Sequence, residues 1–149
     1  MLRILNHFTS FQEVPNHLSL CFSFFGCPHK CKGCSWEGEN KFLNMKISDF
    51  EEIIKKYYNY VSCVCFLGGE WEHEFEQLVN ICKKYNLTTC LYTGIDSLEK
   101  VPAKELLDFI KIGHYNEALG GLDNPNTNQQ FIEMKTGLCL NKLFWKVGK

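Results

Sequence analysis

The chain has 149 residues, a formal net charge of −1 and 45% hydrophobic residues, a balance that excludes disorder as its resting state. Near-zero charge leaves no broad field to favour nucleic acid or an acidic membrane, and no uninterrupted apolar stretch is long enough to cross a bilayer. One domain over residues 1–149 is the economical expectation for this length.

The opening segment, MLRILNHFTSFQEVPNH, has no sustained apolar run and no small-residue cleavage site. No signal peptide is read there, and a cytoplasmic setting that keeps thiols reduced is expected. HLSLCFSFFG (17–26) then alternates Leu18, Leu20, Phe22 and Phe24 on one face, which predicts a strand. Ser48-x-x-Glu51 reads as a capping box, and Phe50, Ile53, Ile54 and Tyr57 form an apolar helical stripe behind it. SCVCFLGG (62–69) predicts a buried strand ended by glycines, and EHEFEQLVNICKKYN (72–86) a helix with Asn86 as its stop. TTCLYTG (88–94) predicts a third strand, PAKELLDF (102–109) a short helix, and FIKIG (109–113) a fourth strand. A long polar loop leads to a last strand, FIEM, and a tail containing KLFWKV. Strands and helices in alternation, with glycines closing the strands, predict a parallel α/β sheet whose ligands gather beyond the strands' carboxyl ends.

Between the first strand and the first helix, GCPHKCKGC sets Cys27, Cys31 and Cys34 three and then two residues apart. Thiolates at this spacing suit an iron–sulfur cluster, and three of them leave one iron of a four-iron cubane open to another ligand. Three other readings apply to the same residues. A buried helical face is opposed by Pro28, Gly33, Lys30 and Lys32. A Cys₃His zinc site would use Cys27, His29, Cys31 and Cys34, but the usual second ligand pair at longer spacing is absent. Disulfides fit poorly with an odd total of nine cysteines in a reducing compartment. Cys21, Cys63, Cys65, Cys82 and Cys90 lie in apolar runs and read as small core residues, while Cys139 near the end reads as exposed.

With the C-x3-C-x2-C loop placed after a first strand and Gly68-Gly69-Glu70 at the end of a second, the chain resembles radical S-adenosylmethionine (SAM) enzymes. The finer resemblance is to the activating enzymes of anaerobic (class III) ribonucleotide reductases. It is carried by GCPHKCKGC, by LYTG (91–94), by FIKIGHYNEALGGLDNPNTNQQFIEM with its T-N-Q ending, and by LFWK, and spans about residues 18 to 146. The chain departs from the family pattern in two places. Trp71 stands where proline commonly follows GGE, and no N-G-P-G-x-R element precedes the first strand.

The resemblance, in a chain of 149 residues that is too short for a complete eight-unit β/α barrel and shows about five strand signals, implies an incomplete barrel of about five mostly parallel strands. It implies a [4Fe–4S] cluster on Cys27, Cys31 and Cys34, with SAM chelating the fourth iron. An external one-electron reductant such as flavodoxin or ferredoxin would supply the electron that cleaves SAM to methionine and a 5′-deoxyadenosyl radical. The expected partner is an anaerobic ribonucleotide reductase, on which a glycyl radical is formed. Gly68, Gly69 and Glu70 are expected at the methionine end of SAM, since glycines admit close backbone approach and a carboxylate accepts from an ammonium. Trp36 is expected near adenine or in the core, Thr93 and Gly94 along the SAM pocket, and Lys111 either in the same mouth or snorkelling at the surface. His114, Tyr115, Asn128 and Gln129 fall in or near the long loop without an assigned role, and His29 and His73 read as exposed. Rival readings are the activase of another glycyl radical enzyme, of the pyruvate formate-lyase type, and a non-catalytic zinc-binding interaction module.

Overall fold

A computed structural model describes residues 1–29 and 41–145. The strands are β1 (Leu2–Ser10), β2 (Ser19–Phe24), β3 (Leu43–Met45), β4 (Cys63–Leu67), β5 (Thr88–Tyr92), β6 (Phe109–Ile112) and β7 (Gln130–Glu133); the α-helices are α1 (Ile47–Tyr57) and α2 (Phe75–Lys84). Among the described residues the seven strands form one sheet in the order β3-β1-β2-β4-β5-β6-β7, which does not close on itself. The inner strands β2, β4, β5 and β6 are parallel, whereas β1, β3 and β7 run antiparallel to their neighbours.

The expectation of about five strands is therefore corrected to seven, in a mixed sheet. β1 shows no clear period because only Leu2 and Ile4 are buried apolar residues in it, and its far half is mostly polar and leaves Phe8 exposed. Pairing with β2 supplies what its own sequence does not, and β3 has three residues, too few to show a period.

Register gives the sheet two unlike faces. Leu20, Val64 and Thr89 line up across β2, β4 and β5, as do Phe22, Phe66 and Leu91, and these face the side that α1 and α2 cover. One residue out of phase, Cys21, Cys65 and Cys90 line up on the opposite face with Cys63, Phe131 and Leu122. Phe22, Phe50 and Phe66 fill the helix side, with ring centroids 4.7 Å apart for Phe22–Phe50 and 6.2 Å for Phe50–Phe66. Cys21, Cys63, Cys65, Cys82 and Cys90 are fully buried, and Cys139 is exposed, as expected.

The first helix starts one residue before the predicted box. Ser48 lies inside α1, and the Asp49 carboxylate instead accepts the Lys46 backbone N–H at 3.2 Å. Glu51 is drawn to the second helix, accepting from Lys84 Nζ at 2.6 Å and Tyr85 Oη at 2.7 Å. Asn86 ends α2 in a left-handed conformation (φ +60°), as its position predicts. The helix predicted over 102–109 is reduced to a single 3-10 turn at Lys104–Leu106, with another turn before it at Leu98–Lys100. Ala103 is left-handed between them (φ +56°), and so short a segment cannot recover the cost of helix nucleation. No helix among the described residues is long and apolar enough to cross a membrane.

Candidate functional site

The parallel strands β2, β4, β5 and β6 deliver their carboxyl ends to one region, and the predicted residues that can be described meet there. β2 runs out through Phe25 and Gly26 to Cys27, which is half-buried. Cys31, Cys34 and Trp36 lie outside the described residues, so their predicted roles stay expectations. Among the described residues no group of three or more His, Cys, Asp or Glu side chains is gathered to hold a metal. Burial pushes the thiols of Cys63, Cys65, Cys82 and Cys90 up, and a hydrogen bond with Cys65, with burial second, does the same to Cys21. Thiols held protonated are poor iron ligands.

β4 ends in Gly68 and Gly69, both at positive φ (+81° and +93°), followed by Glu70. The positive φ explains the glycines directly. The space a Cβ would fill is already occupied within the protein: at Gly69 it would lie 2.7 Å from the Phe24 ring, and at Gly68 2.5 Å from Trp71 Cη2. At Gly94 it would lie 2.6 Å from His29 Cδ2. The space a side chain would need beside each of these glycines is thus taken by a side chain of the chain itself.

Glu70 is the chemically distinctive residue. Its carboxylate is buried (8% exposed), and Thr93 Oγ1 donates to Oε1 at 2.9 Å. Thr93 Oγ1 in turn accepts the Ile95 N–H at 3.1 Å, which fixes the direction of its proton. Oε2 is buried without a hydrogen-bond partner. Burial raises the Glu70 pKa from 4.5 to about 7, against the opposing pull of Thr93 and the Lys111 charge. A buried acceptor left open beside an orienting hydroxyl is suited to a cationic donor group.

Lys111 does not snorkel. It is 7% exposed, and its Nζ donates to the Gly113 carbonyl at 3.1 Å and lies 5.7 Å from the Tyr92 ring centroid. The same carbonyl accepts from Gln129 Nε2 at 3.3 Å, and Asn128 Nδ2 donates to the His114 carbonyl at 3.1 Å. The T-N-Q segment therefore clasps the chain leaving β6. His29, read as exposed, is half-buried against Gly94, and burial holds it below the ordinary imidazole range. Sequence reasoning missed Asp96, which accepts from the His114 backbone N–H at 3.0 Å and pairs with its Nδ1 at 2.8 Å. Its signal was available: it stands two residues beyond the glycine that ends the third predicted strand. A cavity of about 570 Å³ is lined by His114, Tyr115, Asn116, Glu117 and Ala118, in the late loop. Its lining lacks a buried charged group, unlike the strand ends that carry Glu70 and Lys111.

Comparison with curated proteins finds no match. Comparison with solved structures likewise finds none. The model of the 4Fe-4S single cluster domain matches residues 18–120, a span that takes in the cysteine loop, the glycine turn, Thr93, Lys111 and His114. That span is more than half of the chain, and the protein belongs to the 4Fe-4S single cluster domain family.

Proposed function

We propose that this iron–sulfur protein is a radical SAM activase that forms a glycyl radical on an anaerobic ribonucleotide reductase. The observation that carries the reading is Glu70: a buried carboxylate with one unpartnered oxygen, at a glycine turn, on the same sheet edge as Cys27. An ammonium such as that of SAM's methionine moiety would satisfy Oε2. The three loop cysteines, Cys27, Cys31 and Cys34, would hold the cluster and leave its fourth iron to SAM. When bound, cluster and SAM supply the one-electron cleavage chemistry, driven by an external reductant of the flavodoxin or ferredoxin kind.

The chain's own residues do the positioning. Thr93 holds one Glu70 oxygen and leaves the other open to a ligand's ammonium, which would donate to it, and Lys111 keeps positive charge near enough to favour the ionised carboxylate. Gly68, Gly69 and Gly94 shape the turns that carry these groups, and Trp36 is proposed as the aromatic partner of adenine. A sheet that does not close on itself supports an incomplete barrel. An open-sided site fits a macromolecular partner, whose inserted loop would exclude the water that quenches radicals.

The test is anaerobic reconstitution with SAM, a reductant and a cognate reductase. Methionine and 5′-deoxyadenosine should form together with the doublet of a glycyl radical in electron paramagnetic resonance (EPR). Substituting alanine for the reductase's target glycine should remove the doublet. No doublet on the wild-type reductase, with cluster intact and SAM bound, refutes the reading.

A further inference from the structure

We propose that Trp71 is a positioning residue that clamps the start of the cysteine loop to the glycine turn, so that Cys27 and Glu70 keep a fixed relative placement. The proposal rests on the reading of those two segments given above. It starts from the position where this chain departs from its resemblance: Trp71 stands where proline is expected, and proline has no side-chain donor. Trp71 Nε1–H donates to the Phe25 carbonyl at 3.0 Å, two residues before Cys27 and 46 residues away in sequence. The other edge of the same indole closes over Gly68, where a Cβ would meet Cη2 at 2.5 Å. One side chain thus holds both segments.

The next residue braces the first. Glu72 Oε1 accepts from both Nε and Nη2 of Arg3, each at 3.1 Å. The Arg3 guanidinium carbon lies 5.7 Å from the Phe25 ring centroid, and the Arg3 carbonyl accepts the Phe25 N–H at 3.0 Å. The guanidinium also fills the space beside Gly26, where a Cβ would lie 3.2 Å from Nη2. Phe25 is consequently held through its carbonyl, its N–H and its ring by groups from β1 and from the segment after β4. The need for such a clamp follows from the backbone. Two consecutive glycines have the widest conformational freedom in any chain, and Gly26 at φ +94° adds a third soft point in the facing segment. A ligand that bridges the cluster's open iron and Glu70 binds more weakly when it must itself order those two segments.

Trp71→Phe removes the donor and, because a phenyl ring is shorter than an indole, withdraws the edge that covers Gly68, so both halves of the clamp are loosened; Arg3→Gln removes the brace at a half-exposed side chain and serves if the first variant fails to fold. Both are compared with wild type as cluster-loaded protein under anaerobic conditions. Iron and sulfide content should be unchanged. SAM affinity by calorimetry should fall about fivefold in Trp71→Phe, the scale of one net hydrogen bond, and less in Arg3→Gln. The EPR signal of the reduced cluster should shift less, or differently, on adding SAM than it does in wild type. Without SAM, amide exchange across 24–27 should quicken in both variants while distant strands stay protected. Unchanged exchange together with an unchanged EPR response overturns the clamp. A wild-type cluster whose signal ignores SAM overturns the activase reading instead, and unchanged exchange would then still overturn the clamp.

Discussion

Replacing Glu70 with glutamine isolates the energetic consequence of burying an ionisable group without a full set of partners. In the folded chain burial raises its pKa from 4.5 to about 7. The sign follows from linkage: a folded state that holds the proton more tightly than the unfolded chain is favoured at low pH. The contribution is fully present below about 4.5 and is lost as pH rises through 7. At 1.36 kcal/mol per unit the loss amounts to about 3 kcal/mol, or a melting shift of about 6–12 °C for a chain of this size. Glutamine cannot ionise, so Glu70→Gln carries none of this dependence. It does introduce an amide nitrogen at the Oε2 position, an offset that is the same at every pH. The assay is therefore a difference: thermal and urea unfolding of both proteins, reduced and free of cluster and SAM, from pH 4.5 to 8.5. The stability of wild type relative to the variant should fall by about 3 kcal/mol across that window. Parallel curves would show that the Glu70 carboxylate is solvated, and the case for a waiting acceptor would collapse.

Lys111→Met should carry the same window upward, because the Lys111 charge pulls the Glu70 pKa down; a midpoint that stays in place or moves down would remove Lys111 from the site. Glu70→Ala should weaken SAM binding by about 1.5–3 kcal/mol with the cluster still assembled, the scale of a charge-assisted hydrogen bond, read by anaerobic calorimetry. Gly69→Ala should destabilise the fold itself by about 2–4 kcal/mol in urea titration, from a Cβ at positive φ pressed on the Phe24 ring; unaltered stability would contradict the turn geometry. Alanine at Cys27, Cys31 or Cys34 should abolish cluster assembly as measured by iron and sulfide. Cys63→Ala and Cys90→Ala should retain the cluster and lose stability, since both side chains are fully buried.

Composition, spacing and short motifs determined a good deal by themselves. The four parallel strands and both α-helices are legible locally, because the strands are short apolar runs bounded by turns and glycines and the stripe of Phe50, Ile53, Ile54 and Tyr57 is a face that packs on the core. The loop cysteines stand apart from the other six for the same reason: Cys21, Cys65 and Cys90 alternate with large apolar residues, and Cys27, Cys31 and Cys34 sit among Pro, Gly and Lys. GGE at a strand end was enough to single out Glu70. Tertiary structure alone decided how these pieces bear on one another. β1 exists through its pairing with β2, so a segment whose apolar residues, Leu2, Ile4, Leu5 and Phe8, keep no sustained strand period could not declare it. Glu51 caps nothing because Lys84 and Tyr85, 33 and 34 residues away, offer it stronger partners. The glycines at 68, 69 and 94 are spoken for by Trp71, Phe24 and His29, contacts that no local pattern encodes. The open oxygen of Glu70 is likewise a matter of what surrounds it in space. A residue type states which hydrogen bonds a side chain can make, and only the packed chain decides which one is left unmade.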